Sequence, residues 1–112
     1  MGADTRFGTF VESHGQSLSD PVGSHGLTRH DAFIALALAR EADIAMSGGE
    51  VWRREGGRWL PAYDNWRTSP RPGEGRDDFL QRSWRETEVY LRQYRVPPDG
   101  DCLFVLVPSA RA

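Results

Sequence analysis

The side chains best suited to hold a metal are His14, His25, His30 and Cys102. Their spacing does not serve one. His25 and His30 flank the start of a helix, and the chain has no H-x-x-x-H or C-x-x-C pair. Exposed loop histidines are the simpler reading. A serine or cysteine nucleophile needs a histidine base that is itself oriented by a third group. Ser13-His14 and Ser24-His25 are only neighbours in sequence, and no G-x-S-x-G elbow is present. Cys102 opens an apolar run, a poor setting for a thiolate. Glu50, Asp64, Glu74, Asp77 and Asp78 remain as candidate acids and bases, which would need a cleft and shifted pKa values to act as a pair. Asp77 and Asp78 read as solvated acids in the first turn of a helix. Glu50 and Asp64 differ, because each lies among aromatic residues. Gly48-Gly49 follows a helix and a short strand and does not bridge strand to helix, so it is no phosphate loop. No catalytic, cofactor-binding or metal residue is expected, and no cofactor.

The chain offers recognition instead. From Gly48-Gly49-Glu50-Val51-Trp52 to Tyr63-Asp64-Asn65-Trp66 it places three tryptophans, a tyrosine and several charges in a span too short to bury them all. Aromatic residues beside charges suit a contact surface. Glu50, Trp52, Asp64 and Trp66 are the candidate partner-binding residues. Tyr63-Asp64-Asn65-Trp66 has two readings, and both stay open. One is an Asx-type turn with Tyr63 and Trp66 packed on the core. The other is a recognition edge. Arg53, Arg54, Arg58 and Arg67 near these tryptophans make a weak nucleic-acid pattern. The intervening Glu50, Glu55 and Asp64 would repel phosphate, which leaves nucleic acid a minor alternative. A net charge of -2 is too small to argue for nucleic acid or a membrane surface, and neither is expected as a direct partner.

The elements that must position these residues follow from periodicity. Phe7, Phe10 and Val11 have helical spacing and predict a short helix over 6–12, and 14–26 reads as loop. Thr28 is an N-cap, with Asp31 at the capping-box position, for a helix to about Ala42. Its core face is Ala32, Phe33, Leu36 and Ala39. Ile34 and Leu38 lie on the other side, either covered by protein or left for a partner. A short strand over 44–46 follows, then a hairpin of strands 51–54 and 58–60 around Glu55-Gly56-Gly57. A Gly56-Gly57 turn puts Arg54 opposite Trp59, with Trp52 on the same face, so that arginine can stack on indole. Residues 68–75 read as loop. A second helix runs over about 76–94, with Asp77 and Asp78 at its start and Arg92 and Arg95 near its end, complementing its dipole. Leu80, Trp84, Thr87, Leu91 and Tyr94 form its stripe, and Val89 faces away. Pro97-Pro98-Asp99-Gly100 is a turn before the apolar strand 103–107, expected to be central and covered on both faces. The hairpin is expected at an edge. The sum is an α+β domain, a small three- or four-stranded, mainly antiparallel sheet packed against two main helices.

The 112 residues make one domain, with 1–16 and 108–112 peripheral. Apolar content of 38% and charge of 27% suit a soluble globular protein. All 14 basic residues are arginine, which reads as the bias of a GC-rich genome and says nothing about activity. A single cysteine excludes an internal disulfide. Met1-Gly2-Ala3-Asp4-Thr5-Arg6 lacks the basic flank and apolar run of a secretory signal, and no stretch is long enough to span a bilayer. A cytoplasmic location is the expectation.

A set of short segments recurs in a familiar order: Ser17-Leu18, Leu27-Thr28-Arg29, Ala32-Phe33 with Leu36, Gly48-Gly49-Glu50-Val51-Trp52, Tyr63-Asp64-Asn65-Trp66, Pro72-Gly73-Glu74, Ser83 with Tyr90, and Leu103-Phe104-Val105-Leu106-Val107. Their order and spacing, over about Ser17 to Val107, resemble the bacterial immunity proteins of polymorphic toxin systems, in particular the immunity protein 40 family. Trp52 stands where that family suggests a tyrosine, and Ile34 and Ala37 where it tends to have polar helix residues. The resemblance implies a protein without enzymatic activity, encoded beside a toxin. It would bind that cognate toxin domain in the cytoplasm of the producing cell, by occlusion or by locking its shape. It carries over no catalytic or metal residue. If the toxin is a nuclease, its electropositive site would meet the acids Glu50 and Asp64. The alternative is a small regulatory or ligand-binding module using the same aromatic edge, which a thermal-shift screen would reveal. An enzyme built on the acidic cluster would need convergent carboxylates in a concave site.

Overall fold

The structure is a computed structural model that describes residues 2–18, 23–96 and 101–109. In chain order its elements are α1 (Gly2–His14), β1 (Gln16–Ser17), β2 (His25–Gly26), α2 (Arg29–Glu41), β3 (Met46–Glu55), β4 (Arg58–Pro61), β5 (Trp66–Arg67), α3 (Arg76–Gln93) and β6 (Cys102–Pro108). All pairings are antiparallel. The fold class is α+β, as the sequence implies, with α1 beside the two main helices α2 and α3. Residues 97–100, read as a turn, lie outside the described residues.

β3 is the central strand. It pairs with β6 along one edge and with β4 and β5 on the other. This corrects the expectation that the last strand is central. β6 is covered on both faces, but among the described residues its far edge carries only the isolated bridge between Leu27 and Phe104, which exchange two backbone bonds of 2.8 Å. An apolar run reports that a strand's faces are covered and is silent about its edges. Alternation along β3 and β6 sorts the side chains. Val51, Phe104 and Leu106 join the main core under the helices, while Trp52, Leu103 and Val105 form a second cluster with Leu18 on the opposite face.

Gly48-Gly49 does not end a strand, as the separate segments 44–46 and 51–54 suggest. Both glycines lie inside β3, where a register shift falls between Met46 and Gly48 and Gly48 takes φ 145. The backbone freed by this bulge is satisfied by side chains. Met46 N–H donates to Ser83 Oγ at 3.1 Å, and its carbonyl accepts from the Thr68 hydroxyl. At Gly49 the reason for glycine is space, since a Cβ would stand 2.2 Å from the Trp66 ring. The following hairpin has the expected register, Arg54 opposite Trp59, with Gly56 and Gly57 at φ 57 and 79. The Arg54 guanidinium lies 5.8 Å from the Trp59 ring centroid, as the pairing predicts.

The helices follow their patterns with instructive differences. Thr28 caps α2 as expected, its Oγ1 accepting from Asp31 N–H at 3.1 Å. The buried stripe is Ala32, Ala35, Leu36 and Ala39, while Phe33 is only half-buried. Small residues let α1 and α3 approach on both sides, and the larger Phe33 ring covers the flank. α1 is longer than its apolar spacing suggests and buries Phe7. Leu38 is half-buried, whereas Ile34 stays 37% exposed. The 14–26 segment, read as loop, holds the small β1–β2 ladder, which polar side chains do not announce. On α3, Leu80, Trp84, Thr87 and Leu91 are buried and Val89 is exposed, as the stripe requires, while Tyr94 is half-buried. An Arg29 bond to the Tyr94 carbonyl closes the end of α3.

The loop before α3 is clasped by Arg82. Its Nε and Nη2 each donate to Glu74 at 2.8 Å, and Nη2 also reaches the Ser69 carbonyl at 2.5 Å. The Arg82 guanidinium, with help from the Arg71 N–H, holds the Glu74 carboxyl down at about 2. A depressed carboxyl stabilises the fold above its unfolded value and loses that contribution as pH falls through the folded one. Acid titration of wild type should therefore show stability declining from pH 4.5 toward about 2, and Glu74→Gln should flatten that part of the profile. Equilibrium urea unfolding across this range checks it, and an unchanged slope would refute the assignment. Gly49→Ala should cost about 3 kcal/mol or block folding by overpacking, as read by urea denaturation.

Candidate partner-binding surface

The helices cover one face of the sheet, and on the other the Leu18 segment and Trp59 cover Trp52, Leu103 and Val105. There, between the β3–β4 hairpin and the β1 segment, lies a cleft of about 700 Å³. Its lining includes Leu18, Glu50, Trp52, Trp59, Pro61 and Tyr63. Strand alternation explains the grouping, because Glu50, Trp52 and Arg54 project from one face of β3, and Trp52 pairs with Pro61. Trp52 is only 6% exposed and forms the floor. Its Nε1–H donates to Glu50 Oε1 at 3.1 Å, which orients that half-buried carboxylate.

The Tyr63-Asp64-Asn65-Trp66 segment combines both readings of it, residue by residue. Trp66 is a core residue, 8% exposed, stacked on Tyr90 at 4.3 Å and donating Nε1–H to Thr87 Oγ1 at 3.3 Å. Asp64 is a tether. Its Oδ2 accepts from the Tyr94 hydroxyl at 2.7 Å and from Arg53 Nη2 at 3.5 Å, and its carbonyl accepts from the Tyr90 hydroxyl at 3.0 Å. Burial raises the pKa of Tyr90 and of Tyr94, so both phenols stay protonated and keep donating. The bond that Arg53 gives the Tyr94 hydroxyl raises the arginine's own pKa.

Tyr63 is different again. It is 82% exposed and holds φ 62. This departs from the packed-turn reading, which set Tyr63 on the core. A left-handed backbone costs a bulky residue about 1–2 kcal/mol, and here no burial of the ring offsets it. Strain at an exposed aromatic residue points to function. Of the four sequence candidates, Glu50 and Trp52 come together in the cleft. Asp64 and Trp66 lie behind it and hold the segment that presents Tyr63. Trp59 and Tyr63 are surface residues that the sequence reading did not select. The hairpin register was the available signal for Trp59, and no sequence signal announces φ at Tyr63.

The other acids do not converge here. Only Glu50 of the five lines the cleft, while Glu74 is clasped by Arg82 and Asp77 and Asp78 are exposed in the first turn of α3. Among the described residues, no three His, Cys, Asp or Glu side chains stand together as a metal site. No helix of the described residues is long and apolar enough to cross a membrane.

Residues 18–108 match the family Immunity protein 40. The chain belongs to the Immunity protein 40 family. No curated protein and no solved structure matches it. The span matched to Immunity protein 40 contains Glu50, Trp52, Trp59 and Tyr63 of the cleft and the whole β3–β6 pair, whereas α1 and the β1 residues that line the cleft precede it.

Two substitutions separate display from support. Tyr63→Asn, with a residue that tolerates the left-handed region, should leave stability unchanged or raise it by up to about 1 kcal/mol. Trp66→Ala should lower it by about 3–5 kcal/mol. Urea denaturation of both variants checks the contrast, and a destabilised Tyr63→Asn would place that ring in the fold's support.

Proposed function

We propose that this member of the Immunity protein 40 family neutralises a cognate bacterial toxin by binding it, without making or breaking covalent bonds. The observation that carries the reading is Tyr63, an exposed ring on strained backbone at the rim of an open cleft. A rigid aromatic anchor of this kind supplies contact area at low entropic cost. On this reading Glu50 and the floor of Trp52 meet the toxin directly, and Asp64 and Trp66 contribute by fixing the Tyr63 loop. Binding takes place in the cytoplasm of the producing cell and blocks the toxin by occlusion. A nuclease is the toxin class that best suits Glu50, because its phosphate-binding site is electropositive.

Co-expression with the toxin encoded beside it should restore growth. Tyr63→Asn should weaken the complex by about 2 kcal/mol, roughly 30-fold in Kd, and reduce rescue while the protein remains folded. Calorimetry on purified partners gives the affinity and circular dichroism the fold. Rescue that survives loss of the Tyr63 ring at undiminished affinity would move the interface elsewhere.

A further inference from the structure

We infer that the cleft is a receptor for one basic side chain, an arginine, projecting from the partner. The inference rests on the toxin-binding reading and specifies what enters the site. Its warrant is the combination of an aromatic lining with a carboxylate that makes no ion pair among the described residues. Trp52, Trp59 and Tyr63 line the hollow together with Glu50. The Trp52 indole N–H takes one oxygen of Glu50 and fixes its direction, and a neutral donor leaves the negative charge in place. Among the described residues Glu50 makes no ion pair, although Asp64, Glu74, Glu86, Glu88 and Asp101 each hold an arginine. Arg54, its neighbour on the same strand face, is engaged by Asp101 at 3.5 Å and by the Trp59 ring.

A half-buried carboxylate beside indole and phenol rings favours a cation that can stack and bond at once. Guanidinium does both, being planar, weakly hydrated and forked to match a carboxylate. Ammonium is a compact, strongly hydrated charge and suits the walls less well. The protein itself sets arginine over aromatic rings at Phe104, Trp84, Trp59 and Phe79, at 5.6 to 5.9 Å. One cation of the chain, the exposed Arg58, does line the cleft. It repels an entering cation and would attract an anion, which makes it a control of opposite sign.

The test uses Nα-acetyl-arginine methylamide as probe, with the norleucine and glutamate analogues as controls. Binding is followed by NMR at the indole N–H resonances of Trp52 and Trp59. The arginine probe should move both resonances at millimolar concentration, and the two controls should not. Glu50→Gln keeps an oxygen for the Trp52 N–H and removes the charge, and it should weaken arginine binding about fivefold, whereas Arg58→Gln should strengthen it. Equal response to arginine and norleucine, or the reverse pattern in the two variants, overturns the inference. The same variants measured against the toxin separate the two readings. A toxin bound equally well by wild type and Glu50→Gln leaves immunity standing and removes the arginine receptor. Arginine binding at the cleft, with no toxin bound at all, supports the receptor and removes the immunity reading.

Discussion

The fold depends on the contact between the Trp66 indole and the bare backbone of Gly49. The ring occupies the volume a Cβ would fill, so β3 and β5 approach closely only because that position has no side chain. From there the indole reaches outward in two directions. Its N–H bonds to Thr87 and its face stacks on Tyr90, and both of those residues belong to α3. One side chain thus sets the short strand, the central strand and the longest helix relative to each other. The neighbouring bulge completes the joint, because Ser83 of α3 and Thr68 after β5 take up the backbone groups of Met46. These buried hydroxyls are worth little as net hydrogen bonds, yet their loss would leave desolvated peptide groups without partners.

That joint is also what makes an exposed ring three residues away informative. Tyr63 and Trp66 are close in sequence and opposite in fate. Between them Asp64 is held by two tyrosine hydroxyls and an arginine, so the backbone cannot relax to bring Tyr63 inward without giving up those bonds. The segment is therefore held rigidly and its ring is displayed from it. Binding by a preorganised residue avoids the ordering cost that a mobile loop would incur. The display and its support together fit a protein that acts by presenting a surface.

Periodicity carries most of the architecture. The cap at Thr28, the α3 stripe and the Gly56-Gly57 register all follow from local rules, because each depends on residues within a turn or a hairpin of one another. The features that escape are those set by distant contacts. Gly48-Gly49 reads as a break until Trp66 is known to lie against it. The strand at 103–107 reads as central until its outer edge is seen, among the described residues, to carry a single bridge to Leu27 and no ladder. Ala35 replaces Phe33 in the core because two helices close on α2, and helix spacing alone does not say how many neighbours a stripe has.

The candidate site was legible as a region and not as a set of residues, for a physical reason. A tryptophan buries a large ring while needing one partner for its N–H, so the same composition serves a core and an interface equally well. Trp66 finds Thr87 and becomes core, and Trp52 finds Glu50 and becomes the floor of a cleft. What distinguishes them is the nature of the acceptor. A threonine hydroxyl is neutral and can be sealed away, whereas a carboxylate must keep contact with water or a counter-charge. The Glu50 carboxylate is thereby kept half-exposed above an indole as buried as that of Trp66, and a carboxylate beside an indole with no ion pair among the described residues marks the boundary between what the protein packs and what it presents.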